Sequence, residues 1–153
     1  MRFATLLILP IAAACSAQSR LPPPENLCEN GASCVSAPAR DVIAVDGDTF
    51  ELQRLTVDGT QRIRLRLIGW GAPETGDSAN CPAEDRLGQQ VEARSKALFA
   101  AGQTITFLPE GPDRFGRTRA HIWLDGQHIG WLLAKDGLAA PWPPHGIKPD
   151  WCV

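Results

Sequence analysis

Four short stretches carry the side chains that could do chemistry. Asp46-Gly47-Asp48-Thr49 sets two carboxylates beside a turn, Arg66 closes an alternating run, Glu74 follows Pro73, and Arg117 follows Gly116. A carboxylate can bind a hard cation or take a proton from water, and a guanidinium can grip an anion bidentately. One at a time these residues are ordinary. Asp-Gly is common turn punctuation, an arginine on a strand's polar face is usually solvated, and a loop glutamate usually does nothing.

The elements that must hold them can be read from periodicity. Val42, Ile43 and Val45 make a short strand, Asp46-Gly47 turns, and residues 49–52 resume as a second strand. Asp58-Gly59 is a hairpin signal. Residues 62–67 then alternate strictly, with Ile63, Leu65 and Leu67 on one face and Arg62, Arg64 and Arg66 on the other. Pro82 suits a helix start, with Glu84 and Asp85 near its positive end. Leu87, Val91, Leu98 and Ala101 mark one face of that helix, and Gly102 caps it. Residues 104–108 and 119–124 form two more strands, and a short helix holds Ile129, Trp131, Leu132 and Leu133. Residues 139–153 are expected to be irregular. This order predicts a mainly β, α+β chain: a five-stranded OB-fold barrel, one helix between strands 3 and 4, and a short helix after strand 5.

Taken in order, three motifs carry a resemblance. Val45-Asp46-Gly47-Asp48-Thr49, the run from Arg66 through Ala72-Pro73-Glu74, and Asp113-Arg114-Phe115-Gly116-Arg117 resemble the motif series of staphylococcal-nuclease-like proteins. The likeness covers residues 41–142, and the stretch from Glu74 to Leu87 is similar to an exported bacterial subgroup. It implies that Arg66 and Arg117 grip a phosphate and that Glu74 positions or deprotonates the attacking water. It also implies that Asp48 binds Ca²⁺ with the backbone carbonyl of Ala72; for the ligand missing at Gly71, water replaces it, Asp46 or Asp77 reaches in, or the domain no longer cuts. Arg114, Phe115 and Trp142 stand where such proteins contact the nucleotide, Phe115 and Trp142 by stacking. Gly71 departs from the pattern, because nucleic-acid-cleaving members carry Asp there. Losing that carboxylate should weaken calcium to about millimolar affinity or beyond.

Composition bounds the rest. The chain has 153 residues, 44% of them hydrophobic, a formal net charge of −2 and no tyrosine. That excludes a disordered chain and argues mildly against a nucleic-acid binder, which is often basic. The apolar run from Leu6 to Ala14 behind Arg2 reads as a signal peptide over residues 1–17. Ile11-Ala12-Ala13-Ala14-Cys15 resembles a lipoprotein box, so Cys15 is either cleaved away or carries a membrane-attaching lipid. Four cysteines then remain for an oxidising compartment. Of three pairings, Cys28–Cys34 closes a short loop and Cys81–Cys152 fastens the chain's end to the body; these two are favoured. The lack of Cys-x-x-Cys and of spaced histidines disfavours zinc.

The expected division is a signal peptide (1–17), a Pro/Ser-rich tether (18–40), a nuclease-like OB domain (41–142) and a disulfide-held tail (143–153). Two functions follow. One is an exported calcium-dependent nuclease acting on single-stranded or unstructured DNA or RNA, weakened by Gly71. The other is a non-catalytic OB module binding nucleic acid, an oligosaccharide or an envelope protein. The chain is expected to act as a monomer, periplasmic, membrane-anchored or secreted.

Overall fold

A computed structural model describes residues 22–153. The expected signal peptide and Cys15 lie outside the described residues. Nine strands are present among the described residues: β1 (Val35–Pro38), β2 (Val42–Ala44), β3 (Thr49–Thr56), β4 (Gly59–Leu67), β5 (Trp70–Gly71), β6 (Thr104–Pro112), β7 (Thr118–Leu124), β8 (Gln127–His128) and β9 (Ala140–Pro141). Helix α1 spans Pro82–Ala101 and α2 spans Ile129–Lys135. The five expected strands correspond to β2, β3, β4, β6 and β7, and α1 and α2 stand where they were expected.

The main sheet runs β1-β6-β7-β4-β3-β2, with β8 added to β7. Its outer strands β1 and β2 are consecutive in the chain, separated only by a 3-10 turn at Ala39–Asp41. Because β1 pairs with β6 and β2 pairs with β3, the sheet must curl towards itself, as in an OB fold. The one parallel pairing among the described residues, β4 with β7, brings Arg66 opposite Arg119.

Alternation on β4 turns Leu65 and Leu67 into the core and leaves Arg62 and Arg64 exposed. The β3–β4 hairpin forms as expected, although Thr56 pairs with Gly59 and the two loop residues are Val57 and Asp58. Phe50 on β3 meets Phe99 on α1 edge to face at 5.4 Å, joining helix to sheet. Full burial of such a side chain is worth about 1.5–3 kcal/mol.

Three expectations are corrected by packing. The stretch 18–40 is not all tether: β1 lies within it, and Ala37 and Ala39 are buried against the core. Its strand partner β6 is about seventy residues away in sequence, beyond any local pattern. The buried face of α1 is Glu84, Gly88, Val91, Ser95 and Phe99, while Ala101 is exposed. Leu87 and Leu98 only flank that face. Gly102 ends α1 with an ordinary φ of −77°. Its need for glycine is steric, since a Cβ there would lie 2.4 Å from Leu124 Cδ1.

Cys28–Cys34 and Cys81–Cys152 are both bonded, the favoured pairing. Residues 139–153 are irregular except for β9, which pairs with β5 and sets Gly71 opposite Ala140. Trp142 N–H then donates to Gly69 O at 2.8 Å.

A buried histidine packs near Trp70, their ring centres 5.9 Å apart. His128 is 2% exposed, and its Nδ1 accepts from Gly130 N–H at 3.2 Å, capping α2. Burial, and then the nearby His121, push its pKa down to about 4. That lies below the ordinary value near 6.5, so the unfolded chain takes up the proton first. The stability contributed by the neutral ring is therefore complete above about pH 6.5 and is lost as pH falls towards 4. Denaturant titrations should show this loss, up to roughly 3 kcal/mol, and His128→Gln should flatten the pH slope. An unchanged slope in His128→Gln would assign it to carboxylates instead.

Candidate active site

The β2–β3 turn brings Asp46 and Asp48 to the end of the barrel. Asp46 Oδ1 accepts from Asp48 N–H at 3.1 Å, so this carboxylate shapes its own turn. Gly47 allows the turn to touch the β5 loop, because a Cβ there would lie 2.6 Å from Ala72 Cβ. Asp48 itself is only 4% exposed.

Strand register supplies Asp48 with its partner. Thr49 pairs with Arg66 across β3 and β4, and Leu67 N–H donates to Asp48 O at 2.8 Å. The Arg66 guanidinium is ion-paired with the Asp48 carboxylate. Thr49 Oγ1 donates to Asp48 Oδ1 at 3.3 Å and accepts from Arg117 Nη1 at 3.0 Å. Arg117 Nε donates to Asp113 Oδ2 at 2.8 Å, while Asp113 Oδ1 accepts the N–H groups of Phe115 and Arg117. Burial alone would raise the Asp113 pKa, but Arg117 and those N–H groups hold it below its usual range.

Two guanidiniums are thus tied through Asp48 and Thr49 into one network. Burial, and then repulsion from Arg117, lower the Arg66 pKa, with Asp46, Glu74 and Asp113 opposing. Arginine remains charged under these conditions. Glu74, Asp46, Asp113 and Arg117 are thus within electrostatic reach of Arg66.

Glu74 is held from below by α1. Its N–H donates to Glu84 Oε1 at 3.3 Å, and Glu84 Oε2 accepts from Asn80 N–H and Asn80 Nδ2, each at 2.7 Å. Glu84 is 1% exposed; burial pushes its pKa up, but the donors of Asn80 and Glu74 outweigh this and hold it low. The loop sits flat on the helix because residue 88 is glycine, since a Cβ there would come within 2.3 Å of Glu74 O.

Gly88→Ala therefore pits two effects against each other. Alanine favours the helix by about 1 kcal/mol, whereas overpacking costs about 1–3 kcal/mol and moves Glu74. The expected result is near-native stability with activity down at least about tenfold, read by melting and cleavage assays on the same sample. Full activity would show that the Glu74 loop is not placed by this contact.

The nucleotide-contact candidates divide between two walls. Phe115 is 68% exposed, with the guanidiniums of Arg114 and Arg117 at 4.6 and 5.5 Å from its ring centre. Trp142 lies 5.8 Å from the Arg66 guanidinium and donates from Nε1 to Gly146 O at 3.0 Å. Between Arg66, Asp113, Trp142 and His145 opens a cleft of about 580 Å³.

The cation implied by resemblance fits these residues poorly. Asp48 spends its carboxylate on Arg66 and Thr49, Asp46 on its turn, and Gly71 brings no oxygen from a side chain. Asp77 is exposed on the 3-10 turn Gly76–Ser78. Among the described residues, no three His, Cys, Asp or Glu side chains gather as metal ligands.

Sequence reasoning missed Thr49, Glu84, Gly88 and Lys148 as parts of this corner. The Lys148 ammonium lies 2.9 Å from Glu74 Oε1. Thr49 was visible beside Asp48, but nothing local marked Lys148, 74 residues from its partner.

Comparison with known proteins points to a family. A family model described as staphylococcal nuclease homologue matches residues 64–144. A thermonuclease of Staphylococcus intermedius is 34% identical over 103 residues, covering 66% of this chain and 58% of that protein. A thermonuclease of Staphylococcus hyicus is 33% identical over 95 residues, covering 62% and 53%. The SPbeta prophage-derived endonuclease YokF of Bacillus subtilis is 32% identical over 99 residues, covering 63% and 31%. The chain thus spans between about a third and three-fifths of the length of these curated relatives.

Proposed function

Because the chain belongs to the staphylococcal nuclease homologue family, we propose that it hydrolyses phosphodiester bonds in single-stranded or unstructured DNA or RNA. The observation that carries this reading is the pair Arg66 and Arg117, joined through Asp48 and Thr49, with Glu74 within electrostatic reach of Arg66.

A phosphodiester resists water because its own charge repels the nucleophile. Two fixed guanidiniums neutralise the non-bridging oxygens and bind most strongly as charge builds in the transition state. Glu74 takes a proton from water as the water oxygen bonds to phosphorus. The P–O bond to the leaving sugar oxygen breaks, and that oxygen is protonated by solvent. Arg114, Phe115 and Trp142 hold the flanking nucleotide, so the unpaired bases of a single strand suit them best. No step is routed through calcium, because Asp48, Asp46 and Ala72 do not make a cation site without help at position 71.

The two disulfides support an oxidising, exported setting; the reading keeps Cys15 as either cleaved away with the signal or lipid-bearing, and the protein as a monomer. No helix among the described residues is long and apolar enough to cross a membrane. The missing carboxylate at Gly71 favours the second reading, an OB module that binds a strand without cutting it.

Glu74→Gln separates the two. It should lower cleavage of a single-stranded oligonucleotide about 10²–10⁴-fold while leaving binding within a few fold. Cleavage unaffected by Glu74→Gln would take the proton-accepting role from Glu74, whereas no cleavage by the unaltered protein would leave the binding module standing.

A further inference from the structure

Lys148 lies beyond the family-matched span, on a segment that returns across the site. Cys152 is bonded to Cys81, the residue that caps α1, and this brings residues 148–149 over the Glu74 loop. A Cβ on Gly71 would lie 3.0 Å from Pro149 Cδ, 3.3 Å from Pro149 Cγ and 3.4 Å from Trp142 Cε3. A side chain at position 71 would therefore press on the returning segment, which would have to give by a few tenths of an ångström. In the same corner, the group facing Glu74 is an ammonium at 2.9 Å.

Resting on the phosphodiesterase reading above, we propose that Lys148 is the fixed cation of this active site, contacting a non-bridging phosphate oxygen in place of a metal ion. An ammonium has three N–H donors, and Glu74 takes one of them. The remaining donors are available to a ligand, since the Lys148 side chain is 38% exposed. Lysine binds phosphate as a compact point charge, which complements the forked geometry of Arg66 and Arg117. Gly71 then has a positive reason: an aspartate there would press on Pro149 and compete with Glu74 and phosphate for Lys148.

The test uses the full oxidised chain and a single-stranded oligodeoxynucleotide. Cleavage is measured in excess chelator and with calcium up to about 10 mM, well into the range of weak extracellular sites. The unaltered protein should cleave equally, within about twofold, in both. Lys148→Met should lower kcat about 100-fold with KM changed less than about threefold, and Lys148→Arg should recover part of that loss.

A second readout does not need turnover. With a cleavage-resistant phosphorothioate strand, Lys148→Met should make the slope of log K against log salt shallower by about 0.7, as for one lost phosphate contact. An unchanged slope overturns the role of Lys148 whatever the cleavage result. Cleavage that requires calcium, or that rises in Lys148→Met, also overturns it, the latter by making Lys148 an inhibitory contact. Absence of cleavage from every sample would instead overturn the phosphodiesterase reading, with the salt slope still deciding whether Lys148 meets phosphate.

Discussion

Arg66→Ala is expected to lower cleavage by more than about 10³-fold and to destabilise the fold by about 3–5 kcal/mol. Both effects come from one ion pair. Asp48 is 4% exposed, and without Arg66 it keeps only the Thr49 hydroxyl as a side-chain donor. Thr49 also accepts from Arg117, so the loss disturbs one contact of the second guanidinium, which Asp113 still holds through Nε.

Two companion variants divide stability from chemistry. Arg66→Ala with Asp48→Asn should recover much of the stability, because the stranded charge is gone, but none of the activity. Arg66→Lys should stay folded and still lose rate, since a point charge cannot reproduce the bidentate fork. Urea midpoints and single-strand cleavage on all three variants check the scheme. An Arg66→Ala protein as stable as the parent would mean that Asp48 finds water, and the network argued above would fail.

Removal of the Cys81–Cys152 bond by Cys81→Ser/Cys152→Ser should cost about 2–5 kcal/mol and reduce activity at the same time. The bond closes a separation of 71 residues, so the unfolded chain gains considerable freedom when it is cut. Loss of Cys28–Cys34, which spans six, should cost less. Serine is chosen at position 81 because the Cys81 sulfur accepts from Glu84 N–H at 3.4 Å, and a hydroxyl can keep that cap. The expected drop in melting temperature is about 5–15 °C. The activity loss should match that of Lys148→Met, because both remove the ammonium from Glu74. A double-serine protein with unchanged melting and unchanged kcat would show that the returning segment is held by its other contacts.

Much of the fold was legible from local pattern. The alternation of residues 62–67 has period two, and only a strand with one buried face uses that period. Pro82 and Gly102 bracket α1 correctly. Its face was misread because apolar spacing alone was counted, while Glu84, Gly88 and Ser95 are buried for contacts that hydrophobicity does not report. β1 was missed because Val35-Ser36-Ala37-Pro38 has little strand character of its own; β6 supplies its ladder.

The site divides in the same way. Asp48, Arg66, Glu74 and Arg117 were legible because their types and order follow from neighbours in the chain and from a family resemblance. The sequence by itself determined those groups, the missing carboxylate at Gly71 and four cysteines available for pairing. Only the tertiary structure decided what each group faces. Asp48 meets Arg66 through strand register, Glu74 rests on Glu84 and Gly88 through helix packing, and Lys148 reaches Glu74 through a returning segment fastened by Cys81–Cys152. Backbone periodicity is a property of neighbouring residues, whereas the partner of a charge is fixed by contacts across tens of residues, and no local pattern encodes those.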